Sequence, residues 1–279
     1  MRPLICSIVA LFLAPFVGLH DAGGQEPPIA PKHHPWGAYR SGAWQQVRVE
    51  TETLDEKGHV ASKSTTEKET TLVRVEKDGI TLRLEAAVEV AGKRFDTEPQ
   101  LVKQGFHGEP ACHELKVKET KAGQITIEGR IIPCRIVQLE CTGPNSKTAT
   151  SLYYSSAVRP YILRRQSVTT DLQGKTTQSE TTVSVVALSM PCKVLDEIKN
   201  GALLRAVTKH PKGTIITWTY TSTAVPGGVV SYSSKELDRE NRLIRRSTLS
   251  LTGYGLQIEP QRVGLFGRKR GIRFRKSKP

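Results

Sequence analysis

Ile80-Thr81-Leu82-Arg83-Leu84-Glu85-Ala86-Ala87-Val88-Glu89-Val90 reads in steps of two. Ile80, Leu82, Leu84, Ala86, Val88 and Val90 share one parity, and Thr81, Arg83, Glu85, Ala87 and Glu89 the other. Successive side chains of a strand point to opposite faces, so the stretch predicts a strand with one apolar and one wet face. Upstream, Val47, Val49, Thr51 and Thr53 alternate with Arg48, Glu50 and Glu52. Lys57-Gly58 supplies a turn, Thr70 to Val75 returns, and Lys77-Asp78-Gly79 turns into the Ile80 strand, which together make a β-meander.

A second meander runs through Ile125 and Ile127 to Gly129, then Cys134 to Leu139. It turns at Thr142-Gly143-Pro144-Asn145 and continues through Leu152-Tyr153-Tyr154, Ile162 to Thr169, a turn at Asp171-Leu172-Gln173-Gly174, and Thr182 to Leu188. Part of it recurs. Ile132-Pro133-Cys134-Arg135-Ile136 returns as Met190-Pro191-Cys192-Lys193-Val194, 58 residues later, and Ser155-Ser156-Ala157-Val158 returns as Ser222-Thr223-Ala224-Val225. A duplicated β unit is the simplest reading of that order. From Cys to Ser the second copy has 30 steps against 21. The extra residues fall near Lys199 to Val207, where Leu203, Leu204 and Val207 can share one face of a short helix. The Gly227-Gly228 pair reads as a turn or bulge entering a strand.

The predicted fold is mainly β. It consists of antiparallel meanders with an internal repeat, forming a large curved sheet or two packed β modules with at most one or two short helices. The divisions are a signal peptide (1–24), an extended leader (25–43), a first β meander (44–128), the two repeat copies (129–188 and 189–258) and a basic flexible tail (259–279). Dense threonine, as at Thr65-Thr66, Thr169-Thr170 and Thr181-Thr182, suits an exposed pleat.

Pro133-Cys134-Arg135-Ile136, Tyr154-Ser155-Ser156-Ala157-Val158, Val225-Pro226-Gly227-Gly228-Val229-Val230 and Leu243-Ile244-Arg245-Arg246-Ser247-Thr248 resemble motifs of an exported Planctomycetes protein family of unknown function. More loosely, the order of hairpins is similar to that of outer-membrane lipoprotein carriers. That likeness implies a curved antiparallel sheet that wraps helices around an apolar cavity.

The two ends differ from the body. Arg2 followed by the apolar run Leu4 to Leu19 and by Ala22-Gly23-Gly24 has the form of a cleavable export signal, and it is too short to span a bilayer comfortably. An exported protein follows, periplasmic, in the cell envelope or extracellular, with no membrane span in the mature chain. Four prolines between Gln25 and Pro35 make an extended leader, and Trp36, Tyr39 and Trp44 are expected to cover the first sheet edge. From Arg262 onward there are eight Lys or Arg and no acid, out of a whole-chain net charge of +14. Arg268, Lys269, Arg270, Arg273, Arg275 and Lys276 form a salt-sensitive contact surface for anionic envelope polymer or lipid headgroups. Export argues against a nucleic-acid role.

Reactive residues are few. His107, Cys112, His113 and Glu114 lie together in a Gly- and Pro-punctuated segment, but their spacing matches no structural zinc pattern. His33-His34 falls in the leader. No metal site, cofactor or catalytic residue is assigned. Cys112, Cys134, Cys141 and Cys192 read as disulfide partners or as small core residues, with all three pairings open. Cys134 and Cys141 would stand about 23 Å apart on an unbroken strand. Asp55, Glu56, Asp78, Asp171 and Asp238 sit in turns, where carboxylates cap backbone N–H groups. Glu67 and Glu69 share a strand parity among Thr and Lys. The function expected is therefore an exported, noncatalytic binding or structural module of the envelope. A shallow carrier of lipid or another apolar ligand is the alternative, and a hydrolase of unknown class the third reading. The sequence sets no oligomeric state.

Overall fold

The computed structural model describes residues 29–256 except 110, 111 and 113. Its strands are β1 (Trp44–Leu54), β2 (Val60–Val75), β3 (Gly79–Val90), β4 (Lys93–Asp96), β5 (Gln100–Gly105), β6 (Glu114–Ile127), β7 (Arg130–Thr142), β8 (Lys147–Tyr154), β9 (Ile162–Thr170), β10 (Thr177–Val194), β11 (Glu197–His210), β12 (Gly213–Thr221), β13 (Val229–Leu237) and β14 (Leu243–Gly255). All belong to one antiparallel sheet of order β4-β3-β2-β1-β14-β13-β12-β11-β10-β9-β8-β7-β6, with β5 paired to β3 beside β4. Strands β6 to β14 form one consecutive meander. The shorter arm, β1 to β5, joins it where β1 pairs β14. The two-module alternative gives way to this continuous sheet.

Turn chemistry sets the register. Asp55 Oδ1 accepts from the N–H groups of Lys57 (2.9 Å) and His59 (2.8 Å), and Asp171 Oδ1 from Lys175 N–H (2.8 Å). Backbone hydrogen bonds, led by that of Lys175, hold the Asp171 carboxyl below its ordinary pKa. The turns Ala91-Gly92 and Glu128-Gly129 take left-handed φ at both positions (49° and 76°, 49° and 75°), the geometry that matches strand twist in two-residue hairpins. Glu128 gains an anchor there, because its Oε2 accepts the Leu188 N–H at 2.8 Å.

The expected helix near Lys199 to Val207 is β11 instead. Both of its edges are hydrogen-bonded, to β10 and to β12, and that pairing outweighs the local apolar spacing. The single helical element among the described residues is a 3-10 turn, Pro31–His33.

The repeat is only partly structural. Ser155 and Ser222 hold matching places in the β8–β9 and β12–β13 loops. Each Ser N–H bonds the carbonyl six residues on (Tyr161 and Gly228), and each Oγ faces the N–H two residues on (Ala157, 3.4 Å; Ala224, 3.3 Å). Both serines are buried. The cysteines do not match. Cys134 lies near the start of β7 and Cys192 near the end of β10, and these strands run in opposite directions. One hairpin separates Cys134 from Ser155, whereas the nine extra residues of the second copy accommodate an additional strand between Cys192 and Ser222.

The sheet is strongly curved. Nine inter-strand steps separate β5 from β9, which is about 43 Å on a flat sheet. Yet Arg165 of β9 donates from Nη1 to the carbonyl of Gly108 at 2.9 Å, and Gly108 is joined by a turn to Gly105, the last residue of β5. Three residues of chain plus an arginine side chain reach roughly 20 Å at most. The sheet therefore bends into a trough, with Val47, Leu72, Leu82, Val137, Leu152 and Arg165 on one inward face by their registers. Ile80 and Leu82 are buried as the opening stretch predicts, while Leu84, Ala86, Val88 and Val90 are half-buried.

Threonine is not simply exposed pleat. Hydroxyls pair across strands at Thr51–Ser247 (3.0 Å), Thr150–Ser167 (2.9 Å), Thr181–Thr208 (3.0 Å) and Thr217–Ser234 (2.9 Å), all partly buried. Each such pair satisfies two polar groups that are partly withdrawn from water.

Candidate functional site

The trough is occupied by the chain itself. Ile29 is fully buried against Val137, Leu139, Leu152 and Tyr154. Seven residues later Trp36 packs with Leu72, Ile80, Leu82 and Phe106 on the opposite arm. Between them His33 stacks on Tyr161 (3.9 Å between ring centroids), and its Nδ1 meets the Tyr154 hydroxyl at 2.6 Å. Tyr39 donates its hydroxyl to the Thr223 carbonyl at 2.5 Å, and Gly227 N–H bonds the Pro35 carbonyl at 3.2 Å. The segment thus reads both Ser-x-Ala-Val loops. Gly227 is required there: its φ is +78°, and a Cβ would lie 2.7 Å from the Trp36 ring. What the prolines suggested as an extended leader contributes, from Ile29, to the core.

A buried polar cluster lies beside it. His34 is 5% exposed, and its Nδ1 accepts the Trp36 N–H at 3.2 Å. Burial lowers its pKa to about 4, against the opposing pull of Glu109. His107 and Glu109 are 4% and 6% exposed, with His107 Nδ1 3.4 Å from Glu109 Oε1. Arg165 caps the segment through the carbonyls of His107 (3.3 Å) and Gly108 (2.9 Å). The Glu109 carboxylate supplies compensating charge to Arg165 and to His34. Its neighbour Gly105 admits it closely, since a Cβ there would overlap Glu109 Oε1. His107 Nε2 and Glu109 Oε2 are buried without a hydrogen-bond partner among the described residues. Such atoms each carry a desolvation cost of about 1–3 kcal/mol.

Cys112 and Cys141 of β7 are free thiols with half-buried side chains. Interaction with Cys141, followed by burial, raises the Cys112 pKa, and interaction with Cys112 lowers that of Cys141. Cys134 and Cys192 are separate and buried, Cys192 with Val194, Val225 and Val230. Burial raises the pKa of both thiols.

The segment that holds His107 and Cys112 does not gather Glu114. That residue opens β6 opposite Thr142, and its carboxylate pairs with Lys116 at 3.1 Å. His113 lies outside the described residues, as do the signal peptide 1–24 and the tail residues Arg268, Lys269, Arg270, Arg273, Arg275 and Lys276. Among the described residues no three His, Cys, Asp or Glu side chains converge as metal ligands. The pair His107–Glu109 has the atoms of a general base, but both are enclosed. Arg165 was not marked by the sequence, His34 was noted only as one of a histidine pair in the leader, and Glu109 only as a neighbour of His107; the three come from distant segments.

Two surface depressions are lined mainly by charged and hydroxyl-bearing residues. One is lined by Arg48, Glu50, Thr65, Glu67, Glu89 and Arg94, the other by Glu50, Glu52, Ser234, Arg246 and Ser247. Glu67 binds Arg48 (2.7 Å) and Arg94 (3.4 Å), and Glu52 binds Arg246 (2.6 Å), so charge is largely neutralised within each. No helix of the described residues is long and apolar enough to cross a membrane.

Two crystal structures resemble the chain in outline. One is described as an exported protein with a YmcC-like fold from Bacteroides fragilis, at 10% identity and a TM-score of 0.33, covering 78% of this chain and 97% of that one. The other is described as a lipoprotein from Parabacteroides distasonis, at 12% identity and the same TM-score, with the same coverage. Neither is similar enough to carry an argument about this chain. No protein-family model matches the sequence, so the resemblance to exported Planctomycetes proteins gains no support from one. No curated protein matches it either.

Proposed function

We propose that this protein is an exported, noncatalytic β-sheet module of the cell envelope, working as a rigid binding or structural unit. The observation that carries the reading is the filled trough. A carrier of lipid would need an open apolar lining on the concave face. The residues in position to form one, Leu72, Leu82, Val137 and Leu152, are buried against Trp36, Phe106 and Ile29. Export is supported by the apolar run after Arg2 and the Ala22-Gly23-Gly24 site. Attachment is supported by the charge of the tail, whose eight Lys or Arg would bind anionic polymer or headgroups in a salt-sensitive way.

Two titrations test it. A fluorescent fatty acid added to the full chain should show no saturable binding, and micromolar one-to-one binding would overturn the module in favour of the carrier. Full-length protein should bind anionic phosphatidylglycerol vesicles at low salt more tightly than a chain ending at Gln261, with the difference shrinking as salt rises. Equal binding by the two forms would remove the tail from the function.

A further inference from the structure

We propose that the convex face across β8 to β12 is a binding site for an acidic polysaccharide, with Arg164 and Arg205 holding its carboxylates and Tyr153 and Trp218 its sugar rings. The register sets these residues in one row. Tyr153 stands opposite Arg164, Arg164 opposite Ser184, Ser184 opposite Arg205, and Arg205 opposite Trp218. Opposed residues share a face, and Arg165 lies on the inward one, so the row beside it faces out. Each arginine meets a ring. The Arg164 guanidinium lies 5.6 Å from the Tyr153 ring centroid, and that of Arg205 lies 5.7 Å from the Trp218 centroid. Trp218 itself is 40% exposed.

Uncompensated charge sets this row apart. Arg48, Arg83, Arg242, Arg245 and Arg246 each lie 2.6–3.3 Å from a carboxylate oxygen. Arg164 and Arg205 form no ion pair among the described residues, and Arg164 Nε is buried without a hydrogen-bond partner there. One pair further along the strands on the same face, Ser151, Gln166, Thr182, Val207 and Ile216 carry no charge. Along the row the first acid is Glu50, three strands beyond Trp218, and Lys63 already pairs with it at 3.7 Å. The two guanidinium groups stand two inter-strand spacings apart, about 10 Å. That suits a polymer with carboxylates at intervals along its chain, each fork taking one carboxylate through two N–H···O bonds. The C–H faces of the sugars pack on the Tyr153 and Trp218 rings. The choice of a polysaccharide over nucleic acid rests on the export reading.

The test titrates the full chain with alginate oligosaccharide, a polyuronate, by calorimetry and tryptophan fluorescence. The parent should bind saturably, more weakly as salt rises, with a change in emission that Trp218→Leu removes. The double variant Arg164→Gln, Arg205→Gln should bind about tenfold or more weakly. Arg205→Lys keeps the charge but loses the fork, and should fall between. Arg205 and Trp218 are exposed, so single variants there should keep the β circular dichroism of the parent and carry the test even if the double variant does not fold. Neutral dextran should not bind. Parent-like alginate affinity in the Arg205 and Trp218 variants overturns the proposal and leaves the tail to the vesicle titration. Tighter binding of oligothymidylate than of alginate overturns it in favour of a nucleic-acid surface. Export is judged separately, by N-terminal sequencing of protein from the envelope, where a chain starting at Met1 refutes that reading and moves none of these affinities.

Discussion

Replacing Trp36 with alanine probes the docking of residues 29–43 more sharply than any other single change. The indole is 7% exposed and bridges Leu72, Ile80, Leu82 and Phe106 of one arm to Gly227 of the β12–β13 loop. A buried tryptophan removes roughly 150–250 Å² from water. At about 25 cal/mol per Å² that is about 4–6 kcal/mol, reduced by the residual burial of a compact unfolded chain. Truncation of buried aromatics elsewhere costs about 3–5 kcal/mol, which agrees. The bonds from the Trp36 main-chain N–H to His34 and from Gly227 to Pro35 are kept in the variant, so the loss is one of packing. Urea unfolding of Trp36→Ala followed by β circular dichroism should therefore show a loss of about 3–5 kcal/mol, with Trp36→Phe intermediate. A loss under about 1 kcal/mol with an unchanged urea slope would show that the segment does not stabilise the trough.

Other perturbations have definite signs. His34 is neutral in the fold, with a pKa of about 4 against 6.5 unfolded, so unfolding takes up a proton between those values. Stability is full above about pH 6.5 and falls by about 3 kcal/mol as pH drops to 4, and His34→Gln should flatten that part of the pH–stability curve. An unchanged slope would contradict the burial of His34. Glu128→Ala removes the acceptor of the Leu188 N–H and should cost about 1–3 kcal/mol by denaturant midpoint, whereas an unchanged midpoint would show that this bond contributes nothing. Glu69 faces Glu85 directly across β2 and β3, and burial, then Glu85, raises its pKa. Its ionised form is disfavoured in the fold, so Glu69→Gln should be neutral or stabilising at pH 7, with any gain vanishing in acid.

Much of the sheet was legible because strand alternation and turn chemistry are local. Ile80 to Val90, the Asp55 and Asp171 turns, and Gly227-Gly228 each declare themselves within a few residues. The helix expected near Leu203 failed for the opposite reason, since pairing with β10 and β12 is decided far along the chain. The Ser-x-Ala-Val repeat pointed to two equivalent loops, while the cysteine repeat shares residues without sharing strand position. Curvature and the cluster of His34, Glu109 and Arg165 were hidden, because they depend on segments that meet only after the sheet bends. Prolines near Ile29 suggested an extended leader, but the segment forms the 3-10 turn Pro31–His33 followed by further turns, and nothing local says that it is buried.

The bend itself can be measured. Spin labels carried on unnatural residues at Leu101 of β5 and Val168 of β9, both exposed, report the separation of the two arms without disturbing the cysteines. The curled sheet, in which Gly105 and Arg165 lie within roughly 20 Å, predicts a label separation below about 35 Å after allowing for the label tethers. A flat or gently twisted sheet would place them about 43 Å apart or farther. A narrow distance distribution below about 35 Å in the full chain is the result expected of the filled trough. A distribution centred at about 43 Å or beyond would contradict it.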